Sequence, residues 1–289
     1  MIDKRRERVF YLSVFLLPCL IYIFFWKIGP LFYTVALSFT EFNYVTQSMP
    51  RFVGIENYRR LILDSTFRHS LGIAFFFMAV VTFIELMAGL GLAILFDRPL
   101  KAKNVLTGIL LIPMILVPVV VGVIWYILYS DMVGPISQFL KYIGFPRPQW
   151  TRSQSTALFS IILADIWQWT PFMFLLMLSA LQVIPVQLVE SAKIDGASGF
   201  KIFRYITLPL ITDVMLIAAI LRSMDAFREF DKIWVMTRGG PGTATDIASI
   251  RVYKTAFQYF EIGYAAAMVV LLLIIISSIY LYYLRLEKR

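Results

Sequence analysis

The sequence contains one cysteine, Cys19, and one histidine, His69, in 289 residues. A single thiol cannot build a disulfide framework or a cysteine-based metal site. One histidine excludes the HExxH pair of a zinc peptidase, and there is no GxSxG elbow to present a serine nucleophile. No GxxxxGK[ST] phosphate loop is present either; GGPG at 239–242 lacks the lysine and hydroxyl residue that would have to follow and reads as a turn. Charge is scarce as well: Asp, Glu, Lys and Arg make up 16% of the chain, against roughly a quarter in a soluble domain.

What is abundant is apolar surface, with 60% of residues hydrophobic. A soluble fold has nowhere to bury so much. Apolar stretches near 9–39, 71–96, 105–130, 156–181, 208–237 and 260–284 exceed the length of about 18 residues needed to cross a hydrocarbon core of about 30 Å. They predict an all-α polytopic membrane protein, a single transmembrane domain over 1–289 with six transmembrane helices, in contact with the lipid bilayer along most of its length. The basic start MIDKRRERVF leads into an apolar run that continues to about Phe39 without a small-residue cleavage site, which predicts a retained anchor rather than a signal peptide.

The net charge of +9 is spread along the chain rather than clustered with aromatics, which argues against a nucleic-acid partner. Topology accounts for it better. Six spans leave 1–8, 97–104, 182–207 and 285–289 on one side with 13 Lys and Arg in 47 residues, against 10 over the longer segments 40–70, 131–155 and 238–259. The positive-inside rule then predicts that both termini are cytoplasmic. Gly89 and Gly91 in the second span, and Ala265, Ala266 and Ala267 in the sixth, predict close helix approach. Pro113 and Pro118 predict a break in the third.

Between the fourth and fifth spans lies ESAKIDGASGF at 190–200, the most polar interruption in the second half. From Pro185 to Asp195 the residues favour a short helix, Gly196 can end it in a left-handed turn, and Ser198 can cap a second carrying Phe200, Phe203 and Ile206 before Leu208 and Pro209 open the fifth span. The sequence therefore predicts a cytoplasmic helix-turn-helix within 182–207. Its aromatics need either a protein partner or the membrane interface.

Glu190, Ser191 and Ala192, then Gly196, then Ile206, Leu208 and Pro209, in that spacing, resemble the EAA signature of binding-protein-dependent ABC transporter permeases, with Ser191 where the motif's name has alanine. FVGIENYRRLI at 52–62, DIWQWTPF at 165–172 and MTRGGPGTATD at 236–246 resemble the carbohydrate-uptake branch, the maltose and glycerol-phosphate type. The resemblance covers nearly the whole chain and implies a type I ABC importer permease architecture in the cell inner membrane. It implies that the loop docks into a separate ATPase subunit, with Glu190, Ser191, Ala192, Asp195, Gly196, Ile206, Leu208 and Pro209 as coupling residues. It further implies a second homologous permease in a heterodimer, an ABC ATPase dimer that holds ATP and Mg, an extracytoplasmic substrate-binding protein, and no cofactor on this chain. The substrate it implies is a sugar, oligosaccharide or polyol.

Charges within membrane helices usually face a bundle interior or a watery path. RSMDAFREFDK at 222–232 places Arg222, Asp225, Glu229 and Lys232 at helical spacing, with Arg228 and Asp231 beside them and Phe227 and Phe230 nearby. In the fourth span Asp165, Gln168, Trp169 and Phe172 recur at i, i+3, i+4 and i+7, with Pro171 available to kink the helix. Carboxylates and amides bind sugar hydroxyls while an aromatic face packs on the ring. Glu85, Asp165, Gln168, Trp169, Phe172, Arg222, Asp225, Phe227, Arg228 and Glu229 are therefore substrate-path candidates. The competing account is a set of internal ion pairs that holds the bundle together. An ion-coupled secondary carrier is the alternative function, because membrane carboxylates can relay protons, although the sequence lacks evident internal repeats.

Overall fold

The computed structural model describes residues 4–46, 49–146 and 148–287. Of the loop charges counted above, Arg147, Lys288 and Arg289 lie outside the described residues. Among the described residues the regular structure is helical apart from one short antiparallel hairpin. The contacts fall into two compact units, one of residues up to Ser65 with Val252–Ile275, the other of Thr66–Arg251 with the residues from Ile276 on.

In the first unit, α1 (Lys4–Ile23) passes through a π turn (Phe24–Ile28) into α2 (Gly29–Ser38). Strands β1 (Thr40–Glu41) and β2 (Arg51–Phe52) then pair, and α3 (Glu56–Leu63) follows. Polar side chains tie these pieces together. Asn57 Nδ2 donates to the carbonyls of Ser38 at 2.9 Å and Thr40 at 2.8 Å. Arg60 pairs with Glu261 at 2.8 Å and lies 4.0 Å over the Tyr264 ring, whose hydroxyl donates to Asp64 at 2.8 Å. Ala265, Ala266 and Ala267 are buried here, as their small size predicts.

The second unit contains α4 (Ser65–Phe96), α5 (Lys103–Ile115), α6 (Pro118–Leu128), α7 (Pro135–Tyr142), α8 (Ala157–Gln182), α9 (Val186–Ile194), α10 (Gly199–Ile202), α11 (Leu208–Phe227) and α12 (Asp231–Met236). Helix α13 (Ala248–Phe257) and α14 (Ile262–Glu287) complete the chain. Among the described residues, five helical stretches are long and apolar enough to cross a membrane: Ser13–Ser38, Ser65–Phe96, Ala157–Gln182, Gly199–Met236 and Ile262–Leu281. Helices α5 and α6, bent by 98° at their break, make a sixth crossing if the pair is counted as one span. The third span is thus an elbow rather than a rod. Its break falls at Leu116 and Val117, whose ψ angles of 138° and 136° are extended, because Pro118 disfavours helical backbone in the residue before it. Pro113 stays inside α5 and Pro171 inside α8, with no break at either.

Pro30 and Pro209 share one device. Each follows a five-residue π turn, Phe24–Ile28 and Phe203–Thr207, in which the N–H of Gly29 or Leu208 reaches back to Phe24 or Phe203. A proline ring in a regular helix clashes with the carbonyl four residues back, and the wider turn makes room for it. Consequently the fifth span does not open at Leu208 and Pro209 as the sequence predicted. It runs from Gly199, through the wider turn, into α11. At its other end the predicted single helical face is interrupted, since α11 stops at Phe227 and α12 starts at Asp231.

Helix α8 is the central element, packed against α5, α6, α11 and α12, with 61% of its apolar window buried. Its Met173, Phe174, Met177 and Leu181 join Leu90, Ala93 and Phe96 of α4 and Ile211 and Ala218 of α11 in one core. Gly89 makes that crossing possible: a β-carbon there would lie 2.6 Å from Met173 Cβ and 2.7 Å from the Phe174 nitrogen. Gly91, the other predicted contact, has open space around it and plays no such part. Gly89→Leu is expected to prise α4 from α8 and abolish the folded protein in a detergent gel-filtration assay, whereas Gly91→Leu should elute as the wild type.

Candidate functional site

The break between α11 and α12 brings the charges of 222–232 against α4 and α8. Arg222, 2% exposed, donates through Nε to Glu85 Oε2 at 2.6 Å and through Nη2 to Glu85 Oε1 at 3.2 Å, and Nη2 also pairs with Asp165. Lys232, wholly buried, lies 2.6 Å from Asp165 Oδ1, 2.8 Å from Glu229 Oε2 and 2.9 Å from Gln168 Oε1. The contact to Gln168 is a hydrogen bond, and those to Asp165 and Glu229 are ion pairs that hold the ammonium between two carboxylates. Both cations stand over Trp169, with Arg222 Cζ at 5.3 Å and Lys232 Nζ at 5.9 Å from the ring centroid.

The ten path candidates are thereby divided by accessibility. Glu85, Asp165, Gln168, Arg222, Phe227 and Glu229 are all buried, and Phe227 is further covered by Phe75 at 5.1 Å between rings. Asp225 and Arg228 form an ion pair at 3.2 Å with side chains 46% and 61% exposed. Trp169 and Phe172 are half-buried and meet edge to face at 6.2 Å. Arg222 Nη1 and Trp169 Nε1 have no hydrogen-bond partner among the described residues, although Nη1 lies 3.9 Å from Asp225. These two atoms are buried, so the exposed polar groups among the candidates are those of Asp225 and Arg228. Lys232 belongs to the same network yet was not among the ten. Its spacing of three residues from Glu229 was the available signal.

At 185–209 the predicted hairpin is present. Helix α9 ends at Ile194, Gly196 adopts φ +76°, and Ser198 caps α10 by accepting from the Lys201 N–H at 3.4 Å. A positive φ of that size is where glycine is needed, because other L-residues strain there. Glu190, Ser191, Asp195, Gly196 and Pro209 are exposed, while Ala192, Ile206 and Leu208 are half-buried. Ile194, Phe200 and Tyr205 are also uncovered, at 85%, 75% and 74% exposure. Polar and apolar groups stand side by side on this surface, a composition suited to docking.

Residues 10–289 match the model of the family described as binding-protein-dependent transport system inner membrane component. The chain belongs to this family. Among curated relatives of this permease, the trehalose/maltose transport system permease protein MalF of Thermococcus litoralis is 40% identical over 73% of the chain and 70% of the relative. The trehalose transport system permease protein SugA of Mycobacterium tuberculosis is 32% identical over 89% and 82%. The permease fold also matches a chain of a bacterial ABC transporter that imports the acidic polysaccharide alginate, with TM-score 0.86, 20% identity and coverage of 99% and 98%. A second structure of the alginate transporter, in complex with its alginate pentasaccharide-bound periplasmic protein, matches with TM-score 0.84 and 20% identity over 97% and 94%. The chain is accordingly a multi-pass membrane permease of the ABC importer type.

Proposed function

We propose that this permease carries a carbohydrate inward, paired with a second homologous permease and driven by a separate ABC ATPase dimer that binds ATP and Mg. An extracytoplasmic binding protein delivers the sugar. The carrying observation is the α9–α10 hairpin, whose exposed Glu190, Ile194, Asp195 and Phe200 form a docking surface held in shape by the Gly196 turn and the Ser198 cap. A rigid two-helix hairpin passes displacement to the span it continues into, and α10 runs directly into α11. Both termini then lie in the cytoplasm on the same side as the hairpin, in agreement with the charge bias of the loops, and the membrane is the inner one.

The trehalose and maltose relatives support a sugar as substrate. So does the chemistry beside the buried network: Trp169 and Phe172 are half-buried aromatics, and Asp225 and Arg228 form an exposed pair for hydroxyls. Glu85, Asp165, Gln168, Glu229 and Lys232 shape that surface from behind. Because Glu85 and Asp165 are engaged with Arg222 and Lys232, they lack the freedom a proton relay requires, which disfavours the ion-coupled carrier. The two readings separate in vesicles that hold the whole complex: sugar uptake should depend on internal ATP and survive a protonophore. Uptake that persists without ATP and collapses with the protonophore would overturn the ATP-driven reading.

A further inference from the structure

The elbow at 116–117 leaves a carbonyl to be satisfied. In a continuous helix Val120 would donate to Leu116, but here the Val120 N–H donates to Val117 at 2.9 Å. Gln168 Nε2 of α8 takes its place, donating to the Leu116 carbonyl at 2.9 Å. The other end of the same amide accepts from Lys232 Nζ at 2.9 Å, on the helix that follows the second break. One side chain therefore joins both interruptions. Around it α6 and α12 lie in close contact: a β-carbon at Gly122 would stand 3.1 Å from Val235 Cβ and 3.3 Å from Lys232 Cα.

We propose that Gln168 is a positioning residue, a clasp that fixes the bend of α5 on α6 and keys the paired α6 and α12 to α8. Its two bonds have opposite polarity, so neither a carboxylate nor an apolar chain replaces both. Glutamate at this position still accepts from Lys232 but turns an oxygen toward the Leu116 carbonyl. Leucine satisfies neither partner. A role in filling space alone would tolerate leucine, whose volume is similar, whereas glutamate also brings a negative charge into the buried network. The clasp also explains why α12 stays on α6 although only three residues link it to α11: the Lys232 ammonium anchors it through α8.

The assembled complex supplies the test, in a Cys19→Ser background that removes the only thiol of this chain, with any cysteines of the partner subunits also replaced. Spin labels at Val123→Cys on α6 and Phe159→Cys on α8, both exposed positions at 44% and 52%, report their separation by pulsed electron resonance. With Gln168 present a single narrow distance population is expected. Gln168→Glu and Gln168→Leu should each broaden it or add a second population, and the sugar moved per ATP hydrolysed should fall in reconstituted vesicles. If Gln168→Leu does not assemble, Gln168→Glu carries the comparison, since it keeps the side-chain shape and the bond from Lys232 while losing the donor to Leu116 and gaining a charge. Distance distributions in the assembled variants that superimpose on that of the parent would overturn the clasp. The distance measurement involves no transport and stands or fails apart from the carbohydrate reading; only the ratio rests on that reading.

Discussion

Arg222→Met is expected to cost about 3–5 kcal/mol of stability, the usual penalty for removing one partner of a buried ion pair. Arg222 is the cation that Glu85 contacts, both side chains being almost wholly inaccessible. Its loss strands a carboxylate in the core of the bundle and removes one of the two cations that neutralise Asp165. The double substitution Glu85→Leu with Arg222→Met should recover part of that loss, because an apolar pair of comparable volume no longer strands the Glu85 carboxylate, while Asp165 loses Arg222 and keeps Lys232. The measurement is the thermal midpoint of the assembled complex in nanodiscs for the two single variants and the double. Additive losses would show that Glu85 and Arg222 do not act as a pair.

Gly196→Pro should abolish binding-protein-stimulated ATP hydrolysis and transport while leaving the complex assembled. Proline requires φ near −65°, and Gly196 stands at +76° in an exposed turn with open space around it. The strain has to be relieved by reorienting α9 relative to α10, which displaces Glu190 on α9 relative to Phe200 on α10. Since α9 buries no residue and α10 only Ile202, assembly is not expected to suffer. Gly196→Ala, which meets only the left-handed penalty of roughly 1–2 kcal/mol, should give a partial loss. Gel filtration reports assembly, and phosphate release with and without the loaded binding protein reports coupling. Full stimulation in Gly196→Pro would remove the hairpin from the drive mechanism.

The two substitutions probe features that were legible to different degrees. The hairpin could be read from local chemistry, because a proline start, a glycine stop and a serine cap each act within a few residues. Span positions were likewise legible from hydropathy. Chain geometry at the breaks was not. Nothing periodic announces that α11 ends at Phe227, or that Leu208 and Pro209 lie within a helix already begun at Gly199. Pro118 did signal the third-span break, yet the size of the bend depends on what α8 and α12 offer the freed backbone. The pairing of Glu85 with Arg222 spans 137 residues, and only tertiary packing creates it. Gln168 was legible as a polar residue on a stripe, but its partner is a main-chain carbonyl exposed by a break, which no side-chain pattern records. The candidates therefore lie in one neighbourhood, and the sequence left them undivided by role; burial separates those that hold the network from those that stand open beside it.

The most direct measurement uses the purified chain assembled with its second permease and ATPase in proteoliposomes. ATP hydrolysis is followed as a panel of binding-protein-loaded sugars is added, from mono- and disaccharides such as trehalose and maltose to oligosaccharides and polyols. Stimulation by at least one carbohydrate, lost in Gly196→Pro and dependent on the binding protein, is the predicted result. No stimulation by any member of the panel, from a complex that still hydrolyses ATP at its basal rate, would contradict the carbohydrate importer.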